Sequence, residues 1–123
     1  MANPNILSAT SITGNVAYAA PANTNAASLV SNASGSNTII KVESLTCTNV
    51  TGTAANTTVS VNSAAAGGGT AYRLAYQISV PANASLQVID KNNFVYLPEN
   101  SSLVITSGTA NAIEYVASYE TIS

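Results

Sequence analysis

Apolar and polar residues alternate through most of this chain, and that period of two is the feature that most constrains its fold. Successive side chains of a β-strand point to opposite faces, whereas a helix repeats its apolar residues every three or four positions. The clearest segment is AYRLAYQISV, in which one face consists of Tyr72, Leu74, Tyr76, Ile78 and Val80. The pattern predicts half-buried strands, and no helical stripe of useful length competes with it.

The same alternation recurs in four shorter segments. The residues predicted to face the core are Val59 and Val61, Leu86 and Val88, Leu103 and Ile105, and the set Ile113, Tyr115 and Tyr119 around the small Ala117.

The segment TIIKVESLTCTNV keeps the alternation but changes its phase. Ile40 and Val42 have one parity, whereas Leu45 and Cys47 have the other. A β-bulge near Glu43–Ser44 produces such a phase change. A strand that is buried on both faces is the alternative.

Turn residues separate these segments. Gly and Asn tolerate positive φ and Pro presets a turn, so clusters of them predict strand ends. They divide the chain into about eight to ten short strands, which predicts an antiparallel β-sandwich of jelly-roll-like type. We expect a single domain over residues 1–123, with residues 1–13 as an N-terminal arm or an edge strand. The predicted breaks are Thr13-Gly14-Asn15, Ala20-Pro21, Ser34-Gly35-Ser36, Thr51-Gly52, Gly67–Gly69, Pro81-Ala82-Asn83, Asp90–Asn93, Pro98-Glu99-Asn100 and Ser107-Gly108.

Charged residues make up 7% of the 123 residues, against about a quarter in ordinary domains. With three basic and five acidic residues, the surface has little field to attract nucleic acid, so we expect no nucleic-acid partner. No segment approaches the roughly 20 apolar residues of a membrane span. The start of the sequence lacks the basic and apolar regions of a secretory signal.

The chemistry of an active site is not evident in the sequence. There is no histidine to act as a base, and Cys47 alternates with Thr46 and Thr48 as a small buried residue would. Glu114 and Glu120 share a strand face but are six residues apart, roughly 20 Å, which is too far for glycoside hydrolysis. Five scattered acids are a poor calcium site. We therefore expect no enzyme activity, no catalytic residues, no cofactor and no metal.

The stretch SAAAGGGTAY at residues 63–72 resembles a glycine-rich phosphate loop only superficially. A phosphate-binding loop continues into Lys and Ser or Thr at the start of a helix, whereas Gly69 is followed by Thr70 and a predicted strand. The sequence predicts a connector between strands at 57–63 and 70–80. The glycines would give it backbone freedom, and its alanines would lie on a neighbouring surface.

Tyr72 and Tyr76 allow a carbohydrate-binding hypothesis, because tyrosine rings stack on sugars and Asn and Ser side chains form hydrogen bonds to them. Their alternation with Leu74, Ile78 and Val80 favours the opposite interpretation. In that case this face of the strand is part of the core, and the two tyrosine hydroxyls lie at the margin of the core.

Five segments of the sequence have a distinctive composition: VPANASLQVID, YLPENSSLV and the closing SYETIS are the most specific, and TIIKVESLTCTNVTG and TVSVNS add to them. Together they resemble small structural proteins in the virions of marine tailed bacteriophages, notably those that infect cyanobacteria. The resemblance extends over most of the chain.

The resemblance implies a virion component, and most specifically a capsid decoration (cement) protein. Such a protein stabilises the head through non-covalent contacts with the major capsid protein on the outer capsid surface. A symmetric homo-oligomer is also implied, with a trimer favoured because decoration proteins often associate around capsid three-fold axes. Two other roles stay open, namely a tail, fibre or neck subunit and a tip domain that binds receptor glycans.

Overall fold

A computed structural model describes residues 4–123 as an all-β sandwich of two antiparallel sheets. Nine strands contain more than half of these residues, which confirms the predicted fold class and strand number. Two 3-10 turns, Ile6–Ser8 and Ala65–Gly67, are the only helical pieces in the described part of the chain. The strands are β1 (Ile12–Ala19), β2 (Ala27–Asn32), β3 (Ile39–Asn49), β4 (Ala55–Asn62), β5 (Ala71–Val80), β6 (Ser85–Ile89), β7 (Val95–Leu97), β8 (Ser101–Ser107) and β9 (Ile113–Ile122).

The two sheets have the strand order of a jelly roll. The first sheet runs β1-β9-β3-β6, and the second runs β2-β8-β4-β5. The short β7 also pairs with β3, beside Ile40–Val42, while β6 pairs with Leu45–Thr48. Because β6 and β7 share one strand position, four positions of one sheet face four of the other. Strands β1 and β6 are the edges of the first sheet, and β2 and β5 are the edges of the second.

The bulge predicted in the third strand is present. The pairing of β3 with β9 shifts by one residue between Val42 and Ser44. As a result Ile40 and Val42 face the core before the shift, and Leu45 and Cys47 face it afterwards. The extra residue therefore keeps both halves of an 11-residue strand on the same apolar layer.

The core lies between the two sheets, and most of its members were predicted from the alternation. Val59, Leu103, Ile105, Ile113 and Tyr115 are fully buried. Val61, Leu86, Val88 and Tyr119 are half-buried at its margin.

Two buried asparagines hold the chain at the ends of strands. The Asn49 amide donates hydrogen bonds to the carbonyls of Thr53 and Val80, at 2.8 and 3.0 Å. Its side-chain oxygen accepts the backbone N–H and the hydroxyl of Thr51, at 2.9 and 2.7 Å. Asn32 likewise donates to the carbonyls of Thr38 and Leu97. Each amide satisfies loop groups that no sheet ladder reaches.

The predicted break at Thr13-Gly14-Asn15 is wrong, because these residues lie inside β1. Gly14 pairs with Glu120 in the regular ladder with β9. The partner strand outweighs the turn preference of a Gly-Asn pair, which is weak evidence when it stands alone. The other eight predicted breaks all contain residues outside the strands.

Candidate functional site

Cys47 and Tyr115 lie in the centre of the core, as their alternation predicted. They are opposite one another on β3 and β9, and neither has exposed surface. The Tyr115 hydroxyl lies 2.6 Å from the hydroxyl of Thr57 on β4, so a buried hydrogen bond joins the two sheets. Burial raises the pKa of the Cys47 thiol to about 12 and that of Tyr115 to about 12. The thiol is therefore protonated at neutral pH and is a poor nucleophile.

The predicted pair Glu114 and Glu120 lies along β9, and the structure gives Glu120 a different neighbour. Glu120 is opposite Lys41 on β3 and hydrogen-bonds Glu43, which raises the pKa of Glu120. The Lys41 ammonium is 3.8 Å from Glu43 and 4.5 Å from the centre of the Phe94 ring. These residues form a small surface cluster in which the lysine offsets the repulsion between two carboxylates. Sequence spacing alone did not reveal it, because the bulge brings Glu43 to this position.

The glycine-rich connector lies on the outer face of the second sheet, where its N–H groups are satisfied by the protein itself. The N–H groups of Ala65, Ala66 and Gly67 donate to the side chains of Asn100, Ser31 and Ser102, respectively, at 2.8–3.1 Å. The predicted connector between two strands is confirmed, since it joins β4 to β5, which pair antiparallel. The alanines of the connector lie on the second sheet of the same molecule, beside β2 and β8. The N–H groups of Gly68 and Thr70 donate to the Ala65 carbonyl and the Ser63 hydroxyl, so five N–H groups of the connector are already used and do not face an anion.

The predicted core face of β5 is wrong. Val80 is buried, but Tyr72, Leu74, Tyr76 and Ile78 are 65%, 45%, 58% and 42% exposed. Two register shifts in the pairing with β4 explain the difference, because they turn Ala75 rather than its apolar neighbours towards the core. Gln77 has a φ of 48°, which marks the irregular backbone at the second shift. β5 is also an edge strand, so it has a neighbouring strand on one side only.

These exposed side chains line an open groove between the edge strands β5 and β6. Two adjoining hollows of about 420 and 280 Å³ share Leu74 and Val88. The lining is mostly apolar, and we use the name β5–β6 groove for the surface made by Leu74, Tyr76, Ile78, Leu86, Val88 and Phe94.

Two basic side chains contact aromatic rings of the β5–β6 groove, and one of them is Lys41, whose ammonium is 4.5 Å from the centre of the Phe94 ring. The Arg73 guanidinium lies 5.2 Å from the centre of the Tyr76 ring, where it makes a cation–π contact. A large exposed apolar surface with few charges is typical of a binding site for another macromolecule.

A second apolar surface lies at the other edge of the first sheet. Val16 and Tyr18 on β1 are 56% and 76% exposed, and Val116 on the adjacent β9 is 48% exposed. Val16 and Tyr18 share the outward face of β1, since Asn15 and Ala17 are less exposed. The molecule therefore has apolar side chains near both lateral edges of its first sheet.

Residues 4–123 contain no cluster of three or more His, Cys, Asp or Glu side chains placed to hold a metal ion. In the same range no helix is long and apolar enough to cross a membrane. The β5–β6 groove is the main candidate site in the described part of the chain. Its mostly apolar lining suits contact with an apolar surface of another molecule.

The chain matches no protein-family model and no curated protein. One solved structure with a similar fold is a chain from Bacillus endospore appendages, which are described as a novel family of disulfide-linked pili. That chain is 21% identical, with 99% of this chain and 95% of the other aligned and a TM-score of 0.49. A likeness at this level carries no inference about function.

Proposed function

We propose that this protein is a structural subunit of a larger protein assembly, and specifically a decoration protein on the capsid of a tailed bacteriophage. The observation that carries the proposal is the β5–β6 groove, an exposed apolar surface on a molecule with little charge. Covering apolar area on the order of 300 Å² contributes about 7 kcal/mol before the cost of association. A subunit held by neighbours would gain stability in this way.

The phage assignment comes from the resemblance of VPANASLQVID, YLPENSSLV and SYETIS to virion proteins. The jelly-roll strand order agrees with it by analogy, since viral capsid and lectin domains both use this architecture. The partner in this proposal is the major capsid protein, and the site is the outer surface of the head.

Virions that lack the protein test the proposal. We expect their heads to release DNA at a lower temperature than complete virions, while tails and adsorption stay normal. Adding back purified protein should restore head stability, whereas the groove variant Leu74→Glu should restore much less. Val50→Asp is the matched control, because Val50 is 48% exposed and lies outside the groove.

A receptor-binding tip is the second candidate, and the exposure of Tyr72 and Tyr76 favours it. Both rings lie on the edge strand β5, and the hollow that Tyr76 lines also contains the amide side chain of Gln87, as in a surface that stacks on sugars. In that case virions without the protein should keep stable heads but fail to adsorb to host cells. This result would overturn the decoration proposal.

A further inference from the structure

The N-terminal arm, residues 4–11, is an uncharged segment with two exposed aliphatic side chains and few contacts with the rest of the chain. Ile6 and Leu7 are 44% and 92% exposed, and neither packs against the core. The backbone hydrogen bonds that tie the arm to the body join Thr10 and Ser11 to Ser123. No charged residue occurs before Lys41. An uncharged segment with exposed aliphatic side chains gains free energy when another apolar surface covers it.

The β5–β6 groove has the features that bind an extended apolar segment. Within the described residues β6 pairs with β3 alone, so its other side presents free backbone N–H and C=O groups. A strand laid beside β6 would form main-chain hydrogen bonds there and would cover Leu74 and Val88. Arg73 is the one charge on β5, and it would not repel a neutral arm.

The arm and the groove lie at opposite edges of the same sheet. The arm leads into β1, and the groove borders β6, three strand spacings away. That distance is about 14 Å. Residues 4–9 precede the hydrogen bonds of Thr10 and Ser11 to Ser123, and when extended they reach roughly 20 Å. They are therefore longer than the five residues of β6, which span about 17 Å. A donor at one edge and an acceptor at the other give a head-to-tail contact, which closes into a ring when the rotation between copies allows it.

We propose that the β5–β6 groove binds the N-terminal arm of a second copy of this chain, so that copies join head to tail into a closed ring. This inference rests on the proposed function as a structural subunit and names the partner of its apolar surface. The ring has one arm-in-groove contact per copy, so each copy supplies one arm and one groove.

Sedimentation velocity of the purified full chain over a range of concentrations tests the contact. The wild-type chain should form a discrete oligomer. The donor variant Leu7→Asp places a carboxylate in an apolar groove, and it should weaken association at least about tenfold. The acceptor variant Leu74→Glu should do the same, while Val50→Asp should associate like the wild type. Tyr76→Glu replaces Leu74→Glu if circular dichroism shows that the latter is unfolded.

Mixing the two variants distinguishes this contact from a symmetric one. The Leu7→Asp copy keeps a working groove, and the Leu74→Glu copy keeps a working arm. The mixture has one intact arm and one intact groove per pair, so it should contain 1:1 heterodimers at concentrations at which each variant alone is monomeric. Association of the Leu7→Asp variant at wild-type strength, a mixture that stays monomeric, or a monomeric wild-type chain would each overturn the proposal.

The outcome also separates this inference from the proposed function. A monomeric chain that still stabilises heads would remove the ring and keep the decoration role. If the two variants form heterodimers as predicted but the protein does not change head stability, the ring is supported and the decoration role is refuted.

Discussion

Removing the hydroxyl of Thr57 should destabilise the protein more than any surface change of equal size. Thr57 and Tyr115 are 1% and 0% exposed, and their hydroxyls are 2.6 Å apart between the two sheets. Thr57→Val keeps the shape of the side chain but leaves the Tyr115 hydroxyl buried without this partner. An unsatisfied buried hydroxyl costs about 1–3 kcal/mol, so we expect a loss of about 2 kcal/mol.

The reverse change is expected to cost less. Tyr115→Phe leaves the Thr57 hydroxyl with a 3.5 Å contact to the carbonyl of Thr106 and with the neighbouring Cys47 thiol. A loss of about 1 kcal/mol follows. In the double variant both positions are apolar and no hydroxyl is stranded. The double variant should therefore be more stable than the sum of the two losses predicts, by about 1–2 kcal/mol.

Urea unfolding of the four proteins measures this coupling, provided that the slope of the transition stays constant. For a domain of this size, 2 kcal/mol corresponds to a fall of about 8 °C in Tm. Losses that simply add in the double variant would refute the reasoning, because the hydroxyls would then be independent. A loss below about 0.5 kcal/mol for Thr57→Val would also refute the reasoning, because a water molecule would then have to replace the lost hydrogen bond to Tyr115.

Two further predictions concern buried groups. Cys47→Ala should cost about 1–2 kcal/mol, and the native thiol should resist labelling. The thiol ionises near pH 9.0 in the unfolded chain and near 12 in the folded one, so stability is fully present below pH 9 and falls as pH rises towards 12. We expect a fall of about 1.4 kcal/mol per pH unit from this group, visible in urea titrations at alkaline pH. Cys47→Ala should lack the fall between pH 9 and pH 10, whereas above pH 10 both proteins should lose stability because the pKa of Tyr115 is also raised, from 10.0 to about 12. Asn49→Ala should cost about 3 kcal/mol because it strands the buried carbonyl of Val80 and removes the hydrogen bonds to the Thr53 carbonyl and to the N–H and hydroxyl of Thr51. The exposed Asn93→Ala is its control, and equal Tm values for the two variants would contradict the role of the amide.

The alternation of side chains predicts the core because it reports which face of a strand is covered. It succeeds for β3, β8 and β9, which each have a strand on both sides. Even the bulge after Val42 is visible in the sequence, since the shift of phase survives in the identities of Leu45 and Cys47. The pairing of β3 with β9 is not visible, because nothing local specifies which strands meet.

The candidate site is where the sequence-based prediction fails. The residues Tyr72, Leu74, Tyr76 and Ile78 have the pattern of a buried face and are exposed. Alternation gives the parity of a side chain but not the width of the opposing sheet, and it assumes a regular ladder. Bulges in β5 and its place at the edge break both assumptions. An apolar alternation on a strand that lies at the edge of its sheet therefore indicates a binding surface as well as a core face.

The ladder between β1 and β9 also bears on how the chain is made. Ile12 pairs with Ile122, and β9 separates β1 from β3. A nascent chain on the ribosome therefore holds β1 and β3 without their shared neighbour until residues 113–122 have left the exit tunnel. Such distant pairing slows folding, and it leaves apolar strand edges open during synthesis. The low charge of the first 40 residues would then make the unfinished chain dependent on chaperones.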